Sequence, residues 1–223
     1  GNFAVDVAAG YSREQYDSKD EIHRIIIQKL RDAGTISELD APPSHLLVPR
    51  GVLIFSLEMK QWEIAERMAC SQALIDNRKI KHNTMTARDW SYYQAASIFL
   101  ENKPIFVDDR PDLTYERMKT RIKARERHFA KIGVRLSLVI LDNAQLVKPA
   151  PNSRFPTWEQ ELSDYGMRIK SQILHDHSKL CFMWLSQIDE KTGHCVHCKQ
   201  LFSHADCVLH LDVDWSLPKG RIE

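Results

Sequence analysis

Three side chains suited to phosphate chemistry stand just beyond three apolar runs of this 223-residue chain. Val52–Ser56 (VLIFS) leads to Glu58, Leu136–Leu141 (LSLVIL) ends at Asp142, and Cys181–Leu185 (CFMWL) ends at Ser186 and Gln187. One acid can order a water nucleophile, a second can hold Mg²⁺ through water, and an amide can sense a phosphate oxygen. Near-continuous apolar runs without alternation mark strands covered on both faces, as in a parallel sheet. In such a sheet the three carboxyl ends share one edge, where open α/β sheets bind ligands. The pattern predicts that Glu58, Asp142 and Gln187 converge on one nucleotide-hydrolysing site. Taken alone, Asp142 is equally a core strand's last residue acting as a helix cap.

A second cluster lies in the polar stretch after Gln187. Cys195 and Cys198 have C-x-x-C spacing, and His194, His197, His204 and Cys207 are close by. Thiolates and imidazoles so spaced can complete a tetrahedral Zn²⁺ site, with Cys195, Cys198, His204 and Cys207 as the ligand set. The competing reading is a loop with free thiols, in which Cys207 is a small residue opening a buried strand.

The elements that must position these groups are legible in the periodicity. Ser18 and Glu21 form a capping-box pattern ahead of Ile22, Ile26, Leu30 and Ala33, which share one helical face, and Gly34 is a plausible stop. Pro42, Pro43 and Pro49 break the next stretch into a linker. From Gly51 strands and helices alternate. Helices are predicted over 61–75, after Thr86, from Thr114 to about Lys131, and over 158–177; strands are predicted at 52–56, 105–107, 136–141, 181–185 and 207–213. This order implies right-handed crossovers and an α/β fold with a mostly parallel sheet. The division is residues 1–50, a helical segment and linker, and residues 51–223, a single α/β domain. Trp62, Trp90, Trp158 and Trp184 read as packing residues. The cations Arg117 to Arg127, at every second position, read as spread around a solvated helix.

Composition narrows the classes. The 31 Lys and Arg nearly balance 30 Asp and Glu, so any nucleic-acid contact must rest on a local basic surface. No apolar run is long enough to cross a bilayer, and no membrane partner is expected. Five cysteines, an odd number, without a secretory signal point to a reducing, cytoplasmic setting.

FSLEM, VILDNAQL and WLSQ, in that order with helices between, resemble the ATPase core of DnaB-like hexameric replicative helicases. The tail SHADCVLHLDV and the KGR string holding Lys219 and Arg221 are similar to that family's later segments. The resemblance covers about Gly51 to Arg221. It implies a RecA-like three-layer fold and an ATP- and Mg²⁺-dependent motor that unwinds DNA. It implies Glu58 as the carboxylate that orients water, Asp142 as the Mg²⁺ acid, and Gln187 as the link between γ-phosphate and DNA loop. Lys219 and Arg221 would act on a neighbouring subunit's nucleotide. Lys148, Arg154, Lys191 and Lys199 would meet phosphates of single-stranded DNA in a ring's channel; each of these loop cations also reads as ordinary solvated surface. The family's phosphate-cradling string, G-x-x-x-x-G-K-[ST], does not occur in these residues. That departure leaves a second reading: a catalytically weak paralogue that acts by binding a helicase subunit or DNA.

Overall fold

The computed structural model describes residues 49–175, 180–188, 204–209 and 211. The expected N-terminal helix and most of its linker lie outside the described residues. The rest forms four parallel strands and their crossover helices. β1 is Arg50–Ser56, β2 Ile105–Asp108, β3 Arg135–Asp142 and β4 Cys181–Trp184; the sheet order is β2-β1-β3-β4. Helices α1 (Gln61–Ala73), α2 (Arg78–Lys81) and α3 (Ala87–Glu101) link β1 to β2. Helix α4 (Tyr115–Lys131) links β2 to β3, and α5 (Trp158–Arg168) precedes β4.

β1 and β3 form where the apolar runs predicted, because both faces are covered; β4, expected to be buried, is only half-buried, with Cys181 exposed. Val52, Ile54, Leu138 and Ile140 pack with Ile64 and Met68 of α1 on one side. Leu53, Phe55, Val139 and Leu141 pack with Met118, Ile122 and Phe129 of α4 and Leu162 and Tyr165 of α5 on the other. Each such side chain, fully buried, contributes about 1.5–3 kcal/mol. The result is three layers, helix–sheet–helix. The helices start where short polar side chains cap them: Thr86 accepts from the Asp89 amide, Thr114 from Arg117 and Thr157 from Gln160. α1 ends with Leu74 in the left-handed conformation, its amide bonded to Ser71 O at 3.1 Å.

Four further expectations need correction. The helix from Trp158 does not run on in α geometry: Ile169–Leu174 is a π-helical turn, and residues 176–179 are outside the described residues. Cys207, Val208, Leu209 and Leu211 are not in a strand, and Cys207 is exposed, so it opens no buried strand. Of the tryptophans, Trp158 and Trp184 pack against the core, but Trp62 is 65% exposed and Trp90 43%. The helix α4 cations are not uniformly solvated. Arg121 is 13% exposed and pairs with the buried Asp108 at 3.4 Å and with Asp112 at 2.6 Å, and the Arg125 guanidinium lies 3.1 Å from the Phe106 ring centre. Sequence periodicity could not show this, because the acids come from the end of β2 and the turn after it.

Gly51 marks the tightest contact between α4 and the sheet. A Cβ there would meet Phe129 Cε2 at 2.5 Å, and the β1–β3 register shifts between Gly51 and Val52. Gly51→Ala is therefore expected to destabilise the protein by about 1–3 kcal/mol through overpacking. Thermal melts check this, and Phe129→Leu in the same chain should recover part of the loss by removing the ring that clashes.

Candidate functional site

The topology fixes where a site can form. The connection leaving β1 runs to β2 on one side, and the one leaving β3 runs to β4 on the other. The sheet thus has its switch point between β1 and β3, and ligands of open α/β sheets bind at the carboxyl end of that crevice. Ser56 and Asp142 are register partners at this point.

The turn after β1 is built to present Glu58. Ser56 is buried, and its hydroxyl donates to Met59 O at 2.7 Å while accepting from Met59 N at 3.2 Å. Leu57 N donates to Asp142 O at 2.6 Å, carrying the β1–β3 ladder one residue past the strand end. On the far side of the turn, Lys60 N donates to Glu63 Oε2 at 2.8 Å and Gln61 N to Asp109 Oδ2 at 3.0 Å. With its neighbours pinned, exposed Glu58 reaches over β3, where its Oε2 accepts from Asn143 Nδ2 at 3.2 Å.

Asp142 is 7% exposed and Asn143 5%. Burial pushes the Asp142 carboxyl above the ordinary carboxylate range, and the nearby charge of Glu58 adds to the push. Asp142 makes no ion pair with a described residue, unlike Asp108, which holds Arg110 and Arg121. The Asn143 Oδ1 atom is buried with no hydrogen-bond partner among the described residues. A buried acid with no ion pair among the described residues, beside a second acid and a carbonyl oxygen unsatisfied among them, is an oxygen-donor set that fits a hard divalent cation such as Mg²⁺. Asp142 does not cap a helix. The short 3₁₀ turn Ala144–Leu146 begins after Asn143, with no side-chain cap bond.

β4 is tied to the same edge. Leu185 N donates to Leu141 O at 2.9 Å and Ala144 N to Leu185 O at 3.0 Å. Gln145 Nε2 donates to Ser186 Oγ at 2.5 Å and to Gln187 O at 3.3 Å. The structure therefore brings the residues following β1, β3 and β4 to one rim, with the Gln187 side chain exposed there. Ser56, Asn143 and Gln145 are the site residues that sequence reasoning missed. The signal available for them was position alone: a hydroxyl closing an apolar strand, and two amides following a strand-end acid.

The remaining expected site residues divide. Lys148 and Arg154 lie exposed on the loop between β3 and α5, with the Arg154 guanidinium 5.5 Å from the Phe155 ring centre. His204 lies 3.5 Å from Ser163 Oγ, and Cys207 is an exposed free cysteine. Among the described residues no group of three or more His, Cys, Asp or Glu side chains is clustered to hold a metal ion, and nothing supports zinc. Lys191, Lys199, Cys195, Cys198, Lys219 and Arg221 lie outside the described residues.

Comparison with known proteins agrees with this fold. The family described as DnaB-like helicase C terminal domain matches residues 43–195. The chain belongs to that family. It is 29% identical over 119 residues to the replicative DNA helicase DnaB of a Nostoc species, which spans 53% of this chain and 13% of that protein. The DnaB of Mycobacterium leprae is 30% identical over 137 residues, 61% of this chain and 21% of the relative. The chain thus matches less than a third of the length of these relatives. A solved ATPase domain superposes with a TM-score of 0.60 at 21% identity, over 70% of this chain and 57% of the other. A solved DnaB-like replicative helicase, described with its interactions with primase, also gives 0.60 at 20% identity, over 70% and 39%. The fold of this DnaB-family domain is the RecA-like one that the motif order implied.

The burial of the Asp142 carboxyl has a measurable cost. Asp142→Asn is expected to raise stability at neutral pH by about 1 kcal/mol, or about 2–4 °C in melting temperature. The folded pKa lies above the unfolded one, so the ionised carboxyl destabilises fully above the folded value. The gap between variant and wild type should narrow as pH falls through that value. Adding Mg²⁺ should raise the wild-type melting temperature and leave that of Asp142→Asn unchanged.

Proposed function

We propose that this domain supplies the hydrolytic carboxylates of an ATP-driven, DnaB-like replicative helicase, a motor that works as a ring of subunits on single-stranded DNA. The observation that carries this reading is the carboxyl rim at the β1/β3 switch point. There Glu58 is hydrogen-bonded to Asn143 and adjoins the buried Asp142, whose carboxyl forms no ion pair among the described residues.

Glu58 is exposed yet held, as a residue that must orient an attacking water requires. Asn143 acts on Glu58 as a positioning residue: its amide donates to one carboxylate oxygen and leaves the other free for water. Asp142 and the Asn143 Oδ1 atom would hold Mg²⁺, which when bound neutralises charge on the phosphates. Gln187, joined through its backbone to Gln145, would relay γ-phosphate contact to the chain beyond it. Lys219 and Arg221 would reach a neighbouring subunit's nucleotide. Lys148, Arg154, Lys191 and Lys199 would meet DNA phosphates, each as a sequence-independent, salt-sensitive contact.

One observation favours a second reading. The 223 residues contain no G-x-x-x-x-G-K-[ST] string. Such a loop's amides and lysine supply most of the grip on the β- and γ-phosphates. An accessory member of the family, binding DNA or a helicase subunit without turnover, would not need it.

Isothermal titration of this chain with ATP and Mg²⁺ is expected to give a Kd weaker than about 100 µM; low-micromolar binding would contradict the consequence drawn from the missing string. Any residual hydrolysis should be stimulated by single-stranded DNA. Glu58→Gln should lower its kcat by about 100-fold, the scale of a lost general base. Asn143→Ala, which frees Glu58 and also removes an oxygen proposed to meet Mg²⁺, should lower kcat by about tenfold or more. Hydrolysis indifferent to Glu58→Gln would end the motor reading. DNA binding with no measurable hydrolysis would select the accessory one.

A further inference from the structure

The loop between β3 and α5 closes over a buried acid that the hydrolytic site does not use. Glu161, in the first turn of α5, is 2% exposed. Its Oε1 accepts from the Ala150 amide at 2.6 Å and from the Tyr165 hydroxyl one turn further along the helix. The Tyr165 oxygen in turn lies 3.4 Å from Lys148 O. Residues 148 and 150 of the ten-residue loop therefore converge on one carboxylate and one phenol.

Burial alone would push such an acid up, yet the Glu161 carboxyl lies below its ordinary value, because the hydrogen-bond donors around it outweigh burial. The ionised form is thus the one this loop geometry holds. The phenol cannot swing away. Its ring packs edge-on to Trp158 at 5.7 Å between centres and tilted against Tyr115 at 5.5 Å, and Arg168 lies 3.8 Å from the Tyr115 ring centre. The Lys148 amide donates to Leu113 O at 2.7 Å, fixing the first residue of the loop from the α4 side. By contrast the side chains of Lys148 and Arg154 are exposed. The backbone is gripped from below, and the cations are left facing solvent.

We propose that Glu161, with Tyr165, is the positioning element that holds the 148–157 loop so that Lys148 and Arg154 face a polyanion as a fixed pair. The polyanion is the phosphate backbone of single-stranded DNA. This part rests on the function proposed above; the latch itself does not. Fixing the loop matters because an exposed cation on a free loop must lose chain entropy on binding, and a pre-ordered one need not.

Hydrogen exchange of the full chain separates the two claims. Glu161→Gln and Tyr165→Phe, the latter keeping the ring stack, are expected to speed exchange in peptides covering 148–157 by roughly tenfold. Peptides of β1 and β3 should stay protected. Loop exchange within twofold of wild type in both variants overturns the latch. Against a thymidine homo-oligonucleotide, each variant should bind roughly fivefold more weakly and with a shallower salt dependence. Adding Lys148→Ala and Arg154→Ala to Glu161→Gln should cost no more than those two substitutions alone, since Glu161 acts through them. Additive losses overturn the positioning role. If the wild type binds no oligonucleotide at all while the loop loosens as expected, the DNA-binding function fails and the latch stands.

Discussion

Parallel pairing of β1 with β3 is the constraint on which the rest of this molecule depends. It aligns Ser56 with Asp142, and the Leu57 N to Asp142 O bond of 2.6 Å carries the alignment past the strand ends. A slip of one residue would turn Val52 and Ile54 onto the face now filled by Leu53 and Phe55. It would also carry Glu58 away from Asn143. The covering helices make that slip expensive, because the apolar sets on the two faces are different and each is buried. Fold stability and site geometry are therefore the same register, held by the same side chains.

The two strand-end acids show how the protein separates structure from chemistry. Asp108, at the end of β2, is buried but gripped by Arg110 at 2.5 Å and by Arg121, so its carboxyl sits below the ordinary range despite burial. Asp142, two strands along the rim and also buried, has no ion pair among the described residues and is pushed the other way. Both are acids closing apolar strands in the sequence. Only the environment distinguishes the acid gripped by two arginines at the β2–α4 corner from the one whose burial raises its pKa.

That distinction also marks how far the sequence could be read. The strands were legible because burial on both faces leaves unbroken apolar runs, and the helix starts because Thr86, Thr114 and Thr157 are caps by residue type. That the segments following β1, β3 and β4 share one edge followed from parallel topology. What was not legible depends on contacts between distant residues. Asn143 is an ordinary polar residue until β1's turn brings Glu58 to it, 85 positions away. Gln145 gains its meaning from β4, and Arg121 from the end of β2. Glu161 looked like any acid in a first helical turn, where it would favour the helix dipole from solvent. Its burial arises only because the preceding loop folds back over it.

The rim and the loop are mechanically adjacent, which bears on how one could report on the other. Asp142, Asn143 and the 3₁₀ turn Ala144–Leu146 run directly into Lys148, the first residue that the Tyr165 oxygen approaches. Within that span Val147 is buried in the core and Gln145 bonds to β4, so there is little slack between the acid and the loop. A displacement at Asp142 must be absorbed within five residues that are packed or hydrogen-bonded. Close-packed segments pass such shifts on instead of dissipating them. The π-helical turn at Ile169–Leu174 lies at the other end of α5, where a wider helical turn can take up a small axial movement without breaking the helix. The stiff end of α5 thus faces the loop, and the irregular end faces away from it. A rim-to-loop connection needs that arrangement, and it would fail if the compliance sat next to Glu161.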